Sequence, residues 1–274
     1  MRSPTIMLTN DDGIDSVGFK RLYDELEELG DVIAVAPASN RSAVGRSIDA
    51  EVTLEEHPLG FAVHGTPSAS VVAGATGLDI EPDIVVSGIN KGANLGSAML
   101  GRSGTVAAAV EAAYLGLPAI AVSMYVPFER IQGEFYDYRP EPEEFDVAAN
   151  ISRYLVERTM ETDVFDRFDY LNVNTPISDD IDSPSLRITR PADGYFTIAE
   201  GDGERLTLKD RQFELLYAGE VGGDPLTDRG ALSENAISVS PLVVPHHEIS
   251  TEDREIVASM FDADDAEAAL LRSD

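Results

Sequence analysis

The chain has 274 residues, of which 43% are hydrophobic, which is enough for one large α/β domain or for one domain with a sizeable appendage. Cysteine is absent, which excludes disulfides, thiolate metal ligands and cysteine nucleophiles. Fifty acidic residues against twenty lysines and arginines give a formal net charge of −30, which disfavours binding to nucleic acid because like charges would meet.

Strand-like and helix-like segments alternate along the first half of the chain. The predicted strands comprise residues 5–9, 32–37, 83–90 and 119–123. The predicted helices comprise residues 17–29, 67–77 and 104–116. Two short β segments, 48–54 and 61–64, flank a Pro-Leu-Gly turn. Continuous apolar strands separated by helices are typical of a parallel sheet that helices cover on both faces.

The second half begins with a predicted helix at 141–160 and a strand at 170–176, and its pattern then changes. Alternating apolar and polar residues predict hairpin strands at 186–190, 195–199, 205–209 and 213–219. A further strand, 236–245, precedes an acidic amphipathic helix at 250–272. We therefore predict an α/β fold. A Rossmann-like body with a mostly parallel sheet and helices on both faces would span residues 1–180, and a β-hairpin with a C-terminal helix would span residues 181–274.

The acidic residues are spread along the chain, and only three of the basic residues are lysines. Such a molecule repels itself in dilute buffer, whereas near 1 M salt the Debye length falls to about 3 Å and the repulsion is screened. The composition therefore favours a salt-rich cytoplasm, with an acidic protein from an ordinary organism as the alternative. No run of eighteen apolar residues is present, so we expect no membrane span. The first residues run directly into a strand-like segment, so we expect no signal peptide and a cytoplasmic protein.

Polar residues follow the predicted parallel strands, where ligands bind in open α/β sheets. Asn10-Asp11-Asp12-Gly13 follows the first strand, residues 36–45 comprise the end of the second strand and the loop after it, and residues 88–96 comprise the end of the strand at 83–90 and the loop after it. The next helix opens with Arg102-Ser103-Gly104-Thr105. Two carboxylates with asparagine and serine oxygens suit Mg²⁺, Mn²⁺ or Ca²⁺, and the absence of histidine from these loops argues against zinc.

The start of the helix at 104 offers backbone N–H groups, hydroxyls and the positive end of a helix dipole, which suit a phosphate. Each motif alone has an ordinary structural explanation: N-D-D-G as a turn or a helix cap, and S-G-T as simple capping. Their joint occurrence at successive strand ends favours phosphoryl chemistry on a metal, with protein donors around the oxyanion.

Six sequence blocks occur in one order between residues 9 and 123. They are T-N-D-D-G-I (9–14), V-A-P-A-S-N-R-S-A-V-G (35–45), G-T-P (65–67), P-D-I-V-V-S-G-I-N-K-G-A-N-L-G (82–96), S-G-T-V-A-A-A-V-E-A (103–112) and G-L-P-A-I-A-V-S (116–123). Together they resemble the SurE survival-protein family of metal-dependent nucleotidases. A weaker match, S-V-S-P-L at 238–242, lies in the C-terminal part. Combined with the acidic composition, the resemblance points to a halophilic archaeon as the source.

The resemblance implies hydrolysis of nucleoside monophosphates to nucleoside and phosphate, with the phosphate at the 5′ position and, as a further option, at the 3′ position. It implies one divalent cation per subunit, Mg²⁺ or Mn²⁺, and a homodimer or homotetramer held partly by residues 181–274. A nucleotide- or metal-binding regulator without turnover is the alternative. A dinucleotide-dependent dehydrogenase is disfavoured, because no G-x-G-x-x-G follows the first strand.

Positions that match the family's motifs give the expected site residues. The resemblance implies as metal ligands Asp11, Asp12, Ser42 and Asn90. It implies as phosphate-binding residues Asn10, Asn94, Ser103, Gly104 and Thr105. The expected catalytic group comprises Asp11, Asp12, Asn94, Ser103 and Thr105. Arg102 departs from the pattern, since the family usually has an aromatic residue before S-G-T, and the nucleoside contacts therefore stay open.

Two mechanisms are compatible with these residues. In one, a water activated by the cation attacks the phosphate, with an aspartate as base. In the other, Asp11 or Asp12 forms an aspartyl phosphate. We favour water, because adjacent carboxylates that share one cation are poor nucleophiles. Aromatic candidates for stacking on a base, or for the core, are Tyr114, Phe128, Phe135, Tyr136 and Tyr138, and residues 125–140 are interpreted as a mobile loop or lid.

Overall fold

The computed structural model describes residues 3–131, 135–178, 184–221 and 223–244. Its β-strands are β1 (Thr5–Thr9), β2 (Asp31–Pro37), β3 (Thr53–His57), β4 (Gly60–His64), β5 (Ile84–Lys91), β6 (Ala119–Met124), β7 (Tyr170–Thr175), β8 (Leu186–Ile188), β9 (Thr197–Gly201), β10 (Leu206–Asp210) and β11 (Ile237–Leu242). Its α-helices are α1 (Val17–Leu26), α2 (Pro67–Val72), α3 (Ser97–Leu100), α4 (Gly104–Tyr114), α5 (Asp146–Met160), α6 (Gln212–Tyr217) and α7 (Asp228–Ser233).

Within the described residues, nine strands form one sheet in the order β3-β4-β2-β1-β5-β6-β7-β11-β8. The six strands from β4 to β7 in this order are parallel, whereas β3 and β11 are antiparallel to their neighbours β4 and β7. The strand order changes direction at β1, which has β2 on one side and β5 on the other. The loops after these three strands therefore lie side by side. The prediction of an α/β fold with a mostly parallel sheet is confirmed.

The central strands pack against helices on both faces. Ile6 and Leu8 of β1 share a buried cluster with Phe19 of α1. Met7 points to the opposite face, where a Cβ atom on Gly74 would lie 2.5 Å from the Met7 sulfur. Helix α1 packs beside α5, and α2 packs beside α4. Burial on both faces explains why these strands are continuously apolar.

The prediction of a hairpin strand at 213–219 is wrong, because this segment forms α6. Phe213 and Leu216 are three residues apart and lie on one helical face. They pack with Ala93 and Leu95 of the loop after β5. Over so short a segment the apolar residues fit either a strand or a helix, and tertiary packing selects the helix.

The C-terminal part contributes to the main sheet. Strands β8 and β11 lie in that sheet, so the sheet continues beyond residue 180. Strands β9 and β10 form a separate antiparallel hairpin. The predicted helix at 250–272 lies outside the described residues. Among the residues that are described, no helix is long and apolar enough to cross a membrane.

Candidate functional site

Asp11 is a buried carboxylate at the carboxyl end of β1, and it is only 3% exposed. The Thr105 hydroxyl donates to Asp11 Oδ1 at 2.5 Å, and the Thr105 backbone N–H also acts to lower the pKa of this carboxyl. Burial, followed by the charge of neighbouring Asp12, raises the pKa of Asp11 to about 7, although the bonds from Thr105 act in the opposite direction. Asp11 therefore joins the end of β1 to the first turn of α4.

Asp12 accepts hydrogen bonds from the loop after β2 and from the end of β5. The Lys91 backbone N–H donates to Asp12 Oδ2 at 2.9 Å, and Asn40 Nδ2 donates to Asp12 Oδ1 at 3.2 Å. Burial raises the pKa of Asp12, whereas Lys91 and the hydroxyl of Ser42 lower it. Asn40 and Ser42 follow β2 and Lys91 ends β5, so Asp12 lies where three parallel strands end.

Ser42 and Asn90 lie beside the carboxylates in different ways. The Ser42 hydroxyl lowers the pKa of Asp12, and the Ser42 backbone N–H donates to Asn40 Oδ1 at 2.9 Å. Asn90 is the half-buried penultimate residue of β5, and its Nδ2 donates to the Gly92 carbonyl. Ser42, on the loop after β2, and Asn90, near the end of β5, therefore each carry a neutral side-chain oxygen on a segment that borders Asp12.

The first turn of α4 packs directly on Asp11. Ser103 is its N-cap, since Ser103 Oγ accepts the Val106 N–H at 3.1 Å. Gly104 allows the close approach, because a Cβ at this position would lie 2.7 Å from both the Cβ and Oδ2 atoms of Asp11. The structure thus brings Ser103, Gly104 and Thr105 together beside the carboxylate.

Asn94 is held by a buried polar cluster that sequence analysis missed. Asn174 Oδ1 accepts the Asn94 N–H at 2.7 Å, and the Nδ2 atoms of Asn172 and Asn174 donate to the Asn94 carbonyl at 3.0 and 3.1 Å. Asn94 Nδ2 donates to Ser123 Oγ at 2.9 Å. The sequence could have indicated this cluster, because Asn172 and Asn174 lie within an otherwise apolar central strand and buried amides require hydrogen-bond partners.

Asn10 organises the loop after β1. Its Nδ2 donates to the Gly13 carbonyl and to Ser16 Oγ, both at 3.0 Å, and its Oδ1 accepts the Gly13 N–H at 3.2 Å. Gly13 has a φ of +102°, which favours glycine at this turn. Both ends of the Asn10 amide are therefore engaged within the loop, and these contacts indicate a loop-shaping role.

The donor set fits a hard divalent cation. Burial raises the pKa of both Asp11 and Asp12, so a cation between them would stabilise the ionised pair. Among the residues that the structure describes, no three His, Cys, Asp or Glu side chains form a metal-binding cluster. Ser42 and Asn90 add neutral oxygens beside the two carboxylates, and such a set of oxygen donors suits a hard divalent cation.

Comparison with known proteins connects this site to a family. The family model described as Survival protein SurE matches residues 6–197, which is more than half of the chain. The chain belongs to the SurE family. The 5′-nucleotidase SurE of Haloarcula marismortui is 46% identical to it, over 97% of this chain and 98% of that protein. The protein of the same name from Natronomonas pharaonis is 49% identical, over 88% of this chain and 93% of that protein.

A solved structure agrees with this assignment. The crystal structure of the SurE protein from Aquifex aeolicus superposes with a TM-score of 0.72 at 26% sequence identity. The match covers 94% of this chain and 100% of that one. The resemblance to the SurE family and the predicted fold class are therefore confirmed.

A second buried network holds the loop after β5 in this SurE-family protein, and sequence analysis missed it as well. Asp228 is fully buried, and its carboxylate accepts the backbone N–H groups of Gly96 at 2.7 Å and of Ala192 at 2.9 Å. Neighbouring Arg229 donates to Gln212 Oε1 at 2.9 and 2.6 Å. Gly96 lies 132 residues before Asp228, so no local sequence pattern marks the contact.

The aromatic candidates that the structure describes have protein partners. Lys91 Nζ donates to the carbonyls of Phe135 and Tyr138 at 3.3 and 3.0 Å, and it lies 5.0 Å from the Phe135 ring centroid. These contacts tie the segment after β6 to the end of β5. The Tyr114 ring centroid lies 4.6 Å from the Arg46 guanidinium carbon. The structure does not describe the side chains of the other two candidates, Phe128 and Tyr136.

Proposed function

We propose that this protein is a metal-dependent 5′-nucleotidase, which hydrolyses nucleoside monophosphates to nucleoside and phosphate. The observation that carries the proposal is the contact between buried Asp11 and Thr105, because it sets a carboxylate pair beside the first turn of α4. The similar proteins from Haloarcula marismortui and Natronomonas pharaonis are named 5′-nucleotidase SurE, which supports the same activity. A 3′-phosphate is a second substrate position to test.

The cofactor that this donor set fits is one divalent cation per subunit, Mg²⁺ or Mn²⁺. The residues that would hold it are Asp11, Asp12, Ser42 and Asn90. When bound, such an ion would act as a Lewis acid toward a phosphoryl oxygen and would lower the pKa of water. The closely spaced carboxylates give it the negative charge that a hard cation requires.

The protein's own donors serve the transferred phosphoryl group. The Gly104 N–H lies in the first turn of α4, where backbone donors have no acceptor within the helix. The Ser103 hydroxyl accepts one hydrogen bond as the helix cap and keeps its own hydrogen to donate. Asn94 uses one of its two amide hydrogens on Ser123, and the second is left for a phosphate oxygen. These donors would stabilise the charge on the equatorial oxygens.

The proton of the attacking water passes to a carboxylate oxygen of Asp11 or Asp12, and a proton is returned to the leaving nucleoside oxygen. In the covalent alternative, one of these carboxylates attacks phosphorus directly. We favour attack by water because both side chains are already engaged, Asp11 by Thr105 and Asp12 by the Lys91 N–H. Rapid-quench trapping of a phosphorylated aspartate would contradict this choice.

Phosphate release from AMP in high-salt buffer tests the function. We expect turnover with Mn²⁺ or Mg²⁺, loss of turnover with EDTA and recovery when the metal is restored. Asp11→Asn and Asp12→Asn should each lose activity by about 100-fold or more, as when one transition-state contact is removed, with little change in Tm. Asp15→Asn is the matched control, because Asp15 lies in the same loop with its side chain 71% exposed and paired with Lys20. If no metal supports phosphate release, the protein is instead a regulator that binds nucleotides without turnover.

The assembly and the working environment are further parts of the proposal. We propose a homodimer or homotetramer that forms partly through residues 181–274. The β9–β10 hairpin supports this proposal, since Leu206 and Leu208 are 58% and 73% exposed. Their burial in a subunit interface would remove this apolar surface from water. The net charge of −30 supports a salt-rich cytoplasm, such as that of a halophilic archaeon. Light scattering in high salt measures the mass, and a monomer would contradict the predicted assembly.

A further inference from the structure

Arg102 connects the candidate phosphate site to the β9–β10 hairpin. It directly precedes Ser103, the N-cap of α4. Its Nη1 donates to Thr197 Oγ1 at 2.8 Å, and its Nη2 donates to the Tyr195 hydroxyl at 2.5 Å. The Asp210 carboxylate lies 3.9 Å from the same guanidinium. Arg102 is therefore engaged by the hairpin, and it holds Tyr195 near the first turn of α4.

Tyr195 is anchored on both sides of its backbone, although its side chain is exposed. Two residues before Tyr195, the Asp193 carbonyl accepts a hydrogen bond from Arg229. The ring of the following residue, Phe196, lies 4.8 Å from the Arg229 guanidinium carbon. Arg229 is itself buried, whereas Tyr195 is 63% exposed. An aromatic side chain that is already held in place loses little conformational entropy when a ligand covers it.

The Tyr195 ring has the properties of a stacking surface. The Arg102 guanidinium carbon lies 5.1 Å from the ring centroid, and most of the residue remains open to solvent. Stacking of a base on an aromatic side chain is worth about 1–3 kcal/mol and accepts every base, because each base has a π face. A neutral base also meets no repulsion from a chain with a net charge of −30.

We propose that Tyr195 is the surface on which the nucleobase of the substrate stacks, and that Arg102 is a positioning residue that holds this ring. The inference rests on the proposed nucleotidase activity and adds the residue that recognises the nucleoside. It assigns the base to the hairpin side of α4, whereas the phosphate lies against the first turn of that helix.

Kinetics with AMP and ribose 5-phosphate test the proposal, because the two substrates share the sugar and the phosphate and differ in the base. Tyr195→Ala should lower the ratio of kcat/KM for AMP to kcat/KM for ribose 5-phosphate by about 5- to 150-fold, which is the stacking free energy converted to a ratio. Tyr195→Phe keeps the ring and should retain most of the ratio. Tyr154→Ala removes an exposed ring on α5 and is the matched control. If Tyr195→Ala lowers kcat/KM by the same factor for both substrates, the proposal is overturned.

Adenosine binding separates this proposal from the proposed activity, because it requires no turnover. Equilibrium dialysis with labelled adenosine should show weaker binding by Tyr195→Ala, by the same factor as the kinetic ratio, and unchanged binding of inorganic phosphate. Equal adenosine binding by the wild type and the variant would overturn the proposal even if AMP is hydrolysed. If the wild type hydrolyses neither substrate but binds adenosine more tightly than Tyr195→Ala does, the proposed activity is overturned and the stacking surface is supported. A change in mass by light scattering with an unchanged ratio would place the ring in a subunit contact and overturn the proposal.

Discussion

Gly104→Ala adds one methyl group at the point where α4 meets Asp11. The new Cβ would lie 2.7 Å from the Cβ and Oδ2 atoms of Asp11, whereas ordinary contacts begin at 3.4 Å. Either the helix or the carboxylate must therefore move by roughly 0.7 Å. The backbone of Gly104 is helical and imposes no positive φ, so the added contact is the source of the strain.

Gly104→Ala should lower the activity strongly while the protein stays folded. Alanine gains at most about 1 kcal/mol over glycine in a helix, and overpacking a buried contact costs about 1–3 kcal/mol. The net loss in the free energy of unfolding is therefore between zero and about 3 kcal/mol. Displacement of a reacting group by close to 1 Å lowers catalysis by about 100-fold. The variant should remain folded and lose most of its activity.

Phosphate release from AMP and thermal unfolding, both in high salt with Mn²⁺, measure the two effects. Gly101→Ala is the matched control, because Gly101 lies three residues earlier and a Cβ there would meet no atom within 4 Å. Gly101→Ala should keep its activity and Tm. Activity of Gly104→Ala within threefold of the wild type would refute the assignment of Asp11 and the α4 first turn to one site.

Two further predictions concern stability. Asn174→Leu keeps the number of side-chain heavy atoms but leaves the buried Asn94 N–H without its acceptor, which should cost about 1–3 kcal/mol and lower Tm by about 2–4 °C per kcal/mol. An unchanged Tm would contradict the role of this bond. Raising KCl from about 0.1 M to about 3 M shortens the Debye length from about 10 Å to below about 3 Å. This should raise Tm, because the repulsion within a chain of charge −30 is screened. A Tm that is constant or falls would contradict that reasoning.

The alternation of strands and helices was accessible from the sequence because it depends on local pattern. Continuous apolar runs marked the central strands, and the helical spacing between them marked a parallel sheet. The same pattern placed Asp11 and Asp12 at a strand end and Ser103 at a helix start. Local pattern failed at α6, where Phe213 and Leu216 fit a strand or a helix equally well over so short a segment.

The sequence by itself therefore determined the fold class and the residues available at each strand end. Tertiary structure decided which of them meet, since the bond from Thr105 to Asp11 joins positions 94 residues apart. It also decided that Asn174 supports Asn94 and that Asp228 holds Gly96, across 80 and 132 residues. The physical reason is that local periodicity reports which face of an element is buried, whereas a buried hydrogen bond depends on a partner that only the packed sheet brings within reach.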